Sequence, residues 1–192
     1  SVVTWCFGHL LEQAEPDAYL PDDVPRTKKG SKVWRFEDLP IYPKNWKLLP
    51  KNDKGVKKQL ATIGKLLKKA SLVVHAGDPD REGQLLVDEV LEHFRYTGRV
   101  QRFWVSAQDS ASIRKGLTNL RDNETFDGMR LAALGRSRAD WLLGMNLSRA
   151  YTLAQQAQGK KELIAVGRVQ TPTLALVAKR DVAIRDFKPA PY

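Results

Sequence analysis

The sequence predicts an α/β fold in which a parallel sheet is followed by a mainly α-helical region. Three observations predict it. Short β-branched and aromatic runs alternate with apolar residues at helical spacing as far as residue 120. From Phe126 onward the strand signals stop and long helical patterns take over. With 42% hydrophobic and 28% charged residues, the 192-residue chain can bury a core and is not disordered.

Val2-Val3-Thr4-Trp5-Cys6-Phe7 reads as a strand that Gly8 stops. Residues 15–55 are rich in Pro, Lys and Asp with scattered Trp34, Phe36, Tyr42 and Trp46, a long excursion without periodicity. Val56, Leu60, Ile63 and Leu67 step at helical spacing and predict a helix over 54–69. Residues 71–76, Ser-Leu-Val-Val-His-Ala, form a short apolar strand ending at Gly77. Leu85, Leu86, Val90, Leu91 and Phe94 mark a second helix. A third strand is predicted from Gln101 to Ser106, and Asp109 caps a helix carrying Ile113, Leu117 and Leu120. Strand and helix in strict alternation predict a parallel sheet with right-handed crossovers. After the composition shift at 124–127, one helical pattern runs to about Gln156, a Gly159-Lys160-Lys161 loop breaks it, and another helix begins near Thr171-Pro172. The expected domains are therefore 1–125 and 126–192.

Both ends read as cut: a strand opens the chain with no lead-in, and Lys188-Pro189-Ala190-Pro191-Tyr192 closes it on residues that forbid helix. The expectation is an excised or processed piece of a longer protein. No apolar run approaches the roughly 20 residues that cross a bilayer, and nothing at the N-terminus reads as a signal peptide. Cys6 is the only cysteine, which excludes an internal disulfide and a thiolate zinc cluster and suits a reducing, cytoplasmic setting.

Lys plus Arg number 32 against 22 Asp plus Glu, giving a pI near 9.8 and pointing to a polyanion, nucleic acid before membrane. The excess is uneven: fourteen basic residues face three acids between Arg26 and Lys69, and eleven face five from Phe126 on. A Lys-rich helix face is often just solvated. Two basic regions flanking an acidic spot fit a phosphate-tracking groove that leads to a metal.

That acidic spot is His75-Ala76-Gly77-Asp78-Pro79-Asp80-Arg81-Glu82-Gly83. In an extended segment the i, i+2, i+4 spacing of Asp78, Asp80 and Glu82 puts the three carboxylates on one side. Pro79 keeps Asp78 extended. The segment follows a buried strand, at the end of the sheet where open α/β folds place ligands. Crowded carboxylates repel unless a cation or protons neutralise them, and oxygen ligands without His or Cys favour magnesium over zinc. The competing reading is a solvated turn capping the next helix.

The decapeptide His75–Gln84 resembles the second acidic motif of the Toprim fold, a Rossmann-like sheet, as it occurs in type IA DNA topoisomerases, in particular their topoisomerase III branch. Residues 5–12 (Trp-Cys-Phe-Gly-His-Leu-Leu-Glu), 38–41 (Asp-Leu-Pro-Ile), 138–142 (Arg-Ala-Asp-Trp-Leu) and 166–172 (Val-Gly-Arg-Val-Gln-Thr-Pro) are similar to that family in the same order. The resemblance implies that Asp78 and Asp80 ligate Mg2+, with Glu82 supporting the metal or a water. It implies a tyrosine that attacks a DNA phosphodiester and stays joined to the 5′ phosphate, in a domain later than Tyr192. It also implies a first-strand Glu-Lys pair ahead of Ser1. On this reading the chain holds an incomplete Toprim sheet and most of a strand-guiding helical domain, binds single-stranded DNA, is monomeric, and does not cleave DNA unaided.

For DNA contacts the resemblance singles out Trp34, stacking on an unpaired base, and Arg138, Trp141 and Arg149. These last three share one helix face by their i, i+3, i+11 spacing. Asp140 would orient a neighbouring arginine. The segment Ala165, Val166, Gly167, Arg168, Val169, Gln170 matches a DNA-contact loop in which Arg168 and Gln170 reach the backbone. Ala165 stands where a serine hydroxyl is expected, and Gln156 where relatives often carry a basic residue. Two other readings share fewer of these features: a Toprim nuclease or primase-like protein that has only the acidic turn, and a non-catalytic DNA-binding module with structural carboxylates.

Overall fold

The computed structural model describes residues 1–188; the Pro-Ala-Pro-Tyr end of the sequence, residues 189–192, lies outside the described residues. The chain divides into two compact units. The first comprises Ser1–Ala14 and Asn45–Ser137, the second Glu15–Lys44 and Arg138–Tyr192. The division falls within one long helix, and the 15–44 part of the excursion groups with the helical residues.

In the first unit, β1 (Leu11–Gln13) pairs antiparallel with β2 (Leu48–Pro50), Leu11 opposite Pro50. Helix α1 (Lys54–Leu67) follows, its first turn closed by the Asp53 carboxylate accepting from the Val56 amide. Strand β3 (Leu72–His75) leads to α2 (Arg81–His93), and α2 to β4 (Arg99–Arg102). Strands β3 and β4 are parallel, Leu72 opposite Arg99, joined by the predicted helical crossover. After α3 (Ser110–Thr118), capped by Asp109, a two-residue strand β5 (Arg121–Asp122) pairs antiparallel with β4. The second sheet is thus mixed, in the order β3-β4-β5.

Leu10, Leu11, Val56, Leu60, Ile63 and Val90 form the core of this unit, with Cys6, Leu48, Leu67 and Phe94 packed on it. Val56, Leu60 and Ile63 are helical-period residues of α1 and Val90 one of α2, while Leu10 and Leu11 lie at the start of β1. Each contributes about 1.5–3 kcal/mol on full burial.

Two strand expectations are corrected. Residues 2–7 are not a strand: Val3 is 87%, Val2 73% and Trp5 66% exposed, because among the described residues no neighbouring strand pairs with them. The Gln59 amide holds this stretch, donating to the Trp5 carbonyl and the Thr4 hydroxyl, and Cys6 packs on the core. The third strand covers 99–102 rather than 101–106, since the ladder ends with the Phe103 amide on the His75 carbonyl. Trp104 then leaves the sheet to stack on Phe126, ring centroids 4.9 Å apart.

The long helix α4 (Asp127–Ala157) and α5 (Gln170–Arg185) complete the chain. In the second unit, Asn146 of α4 grips the Asp-Leu-Pro-Ile segment at both ends of one residue. Its Oδ1 accepts from the Ile41 amide at 2.6 Å, and its Nδ2 donates to the Ile41 carbonyl at 3.1 Å. Ser148 and Thr152 dock the 164–166 segment on α4 by accepting from the Val166 and Ile164 amides. Helix α5 buries no residue, and its apolar side chains Leu174, Leu176 and Ile184 are exposed.

Candidate functional site

The acidic turn joins β3 to α2 in the first unit. Asp78 and Asp80 are both exposed, at the carboxyl end of β3 where the sequence places them. Their alignment with Glu82 is corrected. The three-on-one-side arrangement needs an extended backbone through residue 82, but α2 begins at Arg81. Asp80 is its N-cap, one carboxylate oxygen accepting from the Gly83 amide at 2.7 Å. Glu82 sits in the first helical turn and accepts from Arg136 at 3.2 Å. Among the described residues no three His, Cys, Asp or Glu side chains form a ready-made cage. The capping role and the ligand role of Asp80 do not compete, because the cap occupies one oxygen of two.

The backbone of the turn is folded tightly against the start of α2. A Cβ at Gly77 would lie 2.5 Å from the Gly83 carbonyl oxygen, and one at Gly83 would lie 2.5 Å from the Asp78 carbonyl oxygen. Both contacts are to backbone, so only glycine fits either place without moving the turn.

Beneath it lies a residue that the sequence reading did not single out. Arg102, at the end of β4, has 0% of its surface exposed. Its guanidinium meets five acceptors. Nε donates to Gln84 Oε1 at 2.7 Å, and Nη1 to the carbonyls of His75, Gly77 and Phe103 at 3.1, 2.7 and 2.7 Å. Nη2 donates to the Asp78 carbonyl at 2.6 Å. Its carbon lies 4.8 Å from the Trp104 ring centre. Burial pulls Arg102 down to about 10, partly offset by Asp88 and then, after the opposing effect of Arg121, by Asp78 and Asp80; it stays charged at neutral pH. Gln84 also donates to Asp88 and Asn123, and Asn123 to Asp88.

Buried His75 belongs to the same network. The Gly77 amide donates to its Nδ1, so the proton sits on Nε2, which donates to the Gln84 carbonyl at 3.2 Å. Burial and then the Arg102 charge push its pKa down, keeping the ring neutral. The signal for Arg102 was present in the sequence: a lone charge in a strand read as apolar must be hydrogen-bonded if buried.

The donor set suits magnesium. Two exposed carboxylates, with no sulfur or imidazole reaching them, match an ion that usually takes one or two carboxylates and fills its octahedron with water and substrate phosphate. Asp78 makes no hydrogen bond or ion pair through its carboxylate among the described residues.

In the second unit the expected DNA-contact residues separate into two groups. Trp141 and Arg149 are 6% and 7% exposed, turned toward the 15–44 segment. Trp141 meets Tyr19 edge to face, centroids 5.5 Å apart, and the Arg149 guanidinium lies 4.5 Å above the half-buried Trp34 ring. Desolvation lowers the Arg149 pKa, with Asp17 and Glu15 opposing. Arg138 is half-buried on the same helix. Nearby, Arg35 holds Asp38 of the Asp-Leu-Pro-Ile motif by two hydrogen bonds of 2.9 and 2.7 Å, keeping that carboxylate below its ordinary pKa.

The other group is open. Arg168 engages Asp140 through both carboxylate oxygens, the arginine-orienting role expected of Asp140. These two residues, with Gly167, Gln170 and Thr173, line a cleft of about 660 Å3. No side chain caps the start of α5 there. Gln156, Ala165, Val169 and Gln170 are exposed, and Val166 is half-buried where its carbonyl meets Ser148.

A parallel β-α-β core with paired aspartates after its first strand defines a class, and comparison with known families bears this out. The Toprim domain model matches residues 1–108, more than half of the chain, and the chain belongs to that family. A model described as DNA topoisomerase matches residues 124–192. The chain is 49% identical to DNA topoisomerase 3 of Vibrio cholerae over 195 residues and 46% identical to that of Pasteurella multocida over 194. The two matches cover 100% and 99% of this chain but only 29% and 28% of the relatives. Among solved structures, full-length topoisomerase I from Thermotoga maritima aligns with a TM-score of 0.58 at 26% identity. That alignment covers 96% of this chain and 27% of the other. The resemblance to topoisomerase III read from the motifs therefore extends along the whole chain.

Proposed function

We propose that this chain is the metal- and strand-binding portion of a type IA topoisomerase of the topoisomerase III kind. The parent would cut one DNA strand through a 5′-phosphotyrosine, pass another strand, and reseal without ATP. The domains on this reading are residues 1–125, the Toprim part, and 126–192, the start of the helical strand-guiding part. The observation that carries the proposal is the exposed Asp78–Asp80 pair at the carboxyl end of β3 in a Toprim chain.

Asp78 and Asp80 would hold magnesium, with Glu82 beside them in the first turn of α2 supporting the metal or a water. When bound, the ion neutralises charge near a phosphodiester and aligns it. Asp80 keeps its place by capping α2, and Asp78 offers both oxygens. In the second unit, Arg168, held by Asp140, and Gln170 would reach phosphates at the cleft beside α5. The half-buried Trp34 ring, which carries the Arg149 guanidinium over it, would stack on a base. Arg138, Trp141 and Arg149 support that aromatic platform, and Gln156 and residues 165–167 border the path. The partner is single-stranded DNA, the chain is monomeric, and the setting is cytoplasmic. No helix among the described residues is long and apolar enough to cross a membrane.

Asp80→Asn tests the metal reading cleanly, because asparagine caps a helix as well as aspartate while removing the charge. The expected result is a large loss of Mg2+ affinity by calorimetry in D80N and D78N with thermal stability retained. Unchanged affinity in both variants would remove the carboxylates from the site. Binding to a fluorescent single strand should exceed that to duplex and fall linearly with log salt; equal affinity for the two overturns the strand-guiding role.

A further inference from the structure

We propose that Arg102 is the positioning residue of the acidic turn, its guanidinium fixing the direction of the Asp78 and Asp80 carboxylates before a divalent cation arrives. The inference rests on the magnesium reading above and deepens it.

The argument starts from where the hydrogen bonds go. A buried arginine that only stabilised the sheet would spend its donors on the strands alone. Arg102 instead sends three bonds to carbonyls of the turn and its approach, His75, Gly77 and Asp78. The Asp78 carbonyl accepts a second bond from the Asp80 amide at 2.8 Å. With that carbonyl drawn inward by two donors, the Asp78 side chain is left on the solvent side. The planar guanidinium is the only side-chain group with five donors in a fixed fork. Gln84 holds its Nε side, and Trp104 covers it. Gln84 belongs to α2, so the same contact ties the helix that Asp80 caps to the strand that carries Arg102. The close approach of Gly77 and Gly83 leaves the turn little room for another conformation. No donor of Arg102 touches a carboxylate of the turn, so its fork does not occupy the oxygens a cation would take. Removing such an outer partner typically lowers metal affinity by about 10- to 100-fold.

Arg102→Lys keeps the charge and removes the fork. Two readouts apply on the chain as it stands: Mg2+ affinity by calorimetry, and hydrogen exchange of the Gly77, Asp78 and Asp80 amides without metal. Ile63→Val or Ile63→Ala, in the apolar core of the same unit, is chosen to match the variant's loss of thermal stability. The expected outcome is Mg2+ binding weakened about 10-fold or more in R102K, with faster exchange at the turn, and neither change in the matched Ile63 variant. Wild-type affinity and turn protection in R102K overturn the proposal, as does an equal loss in the Ile63 control. If R102K does not fold, Gln84→Leu removes one of the five bonds and leaves the guanidinium in place. A smaller loss in the same direction is then expected, and unchanged affinity overturns the proposal. Should the wild-type chain bind no Mg2+ through Asp78 and Asp80, the magnesium reading itself fails, an outcome visible without any Arg102 variant.

Discussion

The close approach between the acidic turn and α2 makes Gly83→Ala an informative substitution, because two effects of opposite sign act on it. Gly83 lies in the first turn of α2. Replacing glycine by alanine within a helix stabilises by at most about 1 kcal/mol, through the lower entropy of the unfolded chain. Against this, the new methyl would lie 2.5, 2.7 and 2.9 Å from the Asp78 carbonyl oxygen, amide nitrogen and Cα. Overpacking of this kind costs about 1–3 kcal/mol, and the upper end applies where the obstacle is backbone that cannot rotate away. The overlap should win by about 1–2 kcal/mol, with a fall of roughly 3–6 °C in Tm for a chain of this length. Gly135→Ala is the internal control: its Cβ meets nothing within 4 Å, so propensity acts alone and Tm should rise by about 2–3 °C. Differential scanning calorimetry of both variants decides the matter. A G83A protein melting at or above the wild type would refute the tight turn, and with it the argument that the carboxylates are held in place by backbone.

Two further predictions concern groups outside the turn. His9 Nδ1 lies 3.1 Å from the buried Glu89 carboxylate, a contact that raises its pKa above 6.5 despite burial and Lys51, with Glu82 adding slightly. Because the folded value is the higher one, the pair stabilises the chain fully below about pH 6.5, and that increment is lost as pH rises through the folded pKa. NMR titration should show the His9 midpoint dropping in Glu89→Gln, and an unmoved midpoint would remove Glu89 as the cause. Trp34→Ala should weaken single-stranded DNA binding by about 1–3 kcal/mol, measured by fluorescence anisotropy, while Trp34→Phe keeps most of it. Wild-type affinity in the alanine variant would make Trp34 a packing residue for Arg149 alone.

Features written in local chemistry were legible from the sequence, and features that depend on distant partners were not. The helices at 54–67, 81–93 and 110–118 follow from apolar spacing, with Asp109 read as a cap; the Asp53 and Asp80 caps are equally local, within one turn of sequence. Strand assignment failed where pairing decides. Val2–Phe7 has strand composition but no neighbour, whereas Leu11–Gln13 has weaker composition and a partner 37 residues away. The site divides in the same manner. Asp78 and Asp80 are recognisable from their spacing, but the position of Glu82 depended on where the helix began. The inward turn of Trp141 and Arg149 depended on a 30-residue excursion with no periodicity to read.

The separation of charges around the turn gives the metal reading its physical sense. Arg102 lies directly beneath two aspartates and could have neutralised them, yet its donors meet backbone carbonyls and Gln84. Asp88, the acid that most offsets its burial, is occupied by Gln84 and Asn123. The hydrogen-bond network is therefore satisfied within itself: Arg102 feels the charge of Asp78 and Asp80 but donates to neither carboxylate, which leaves both at the surface without an ion-pair contact to it. Two fixed neighbouring carboxylates repel, and a flexible turn would relieve that by swinging them apart. This turn is pinned by a buried guanidinium and by the contact of Gly77 with Gly83, so the repulsion is relieved best by a cation from solution. If Arg102→Lys frees the turn, the two acids should separate and Mg2+ should lose its advantage over a monovalent ion in protecting the fold against heat. Equal protection by Mg2+ in wild type and variant would show that rigidity plays no part in holding the ion.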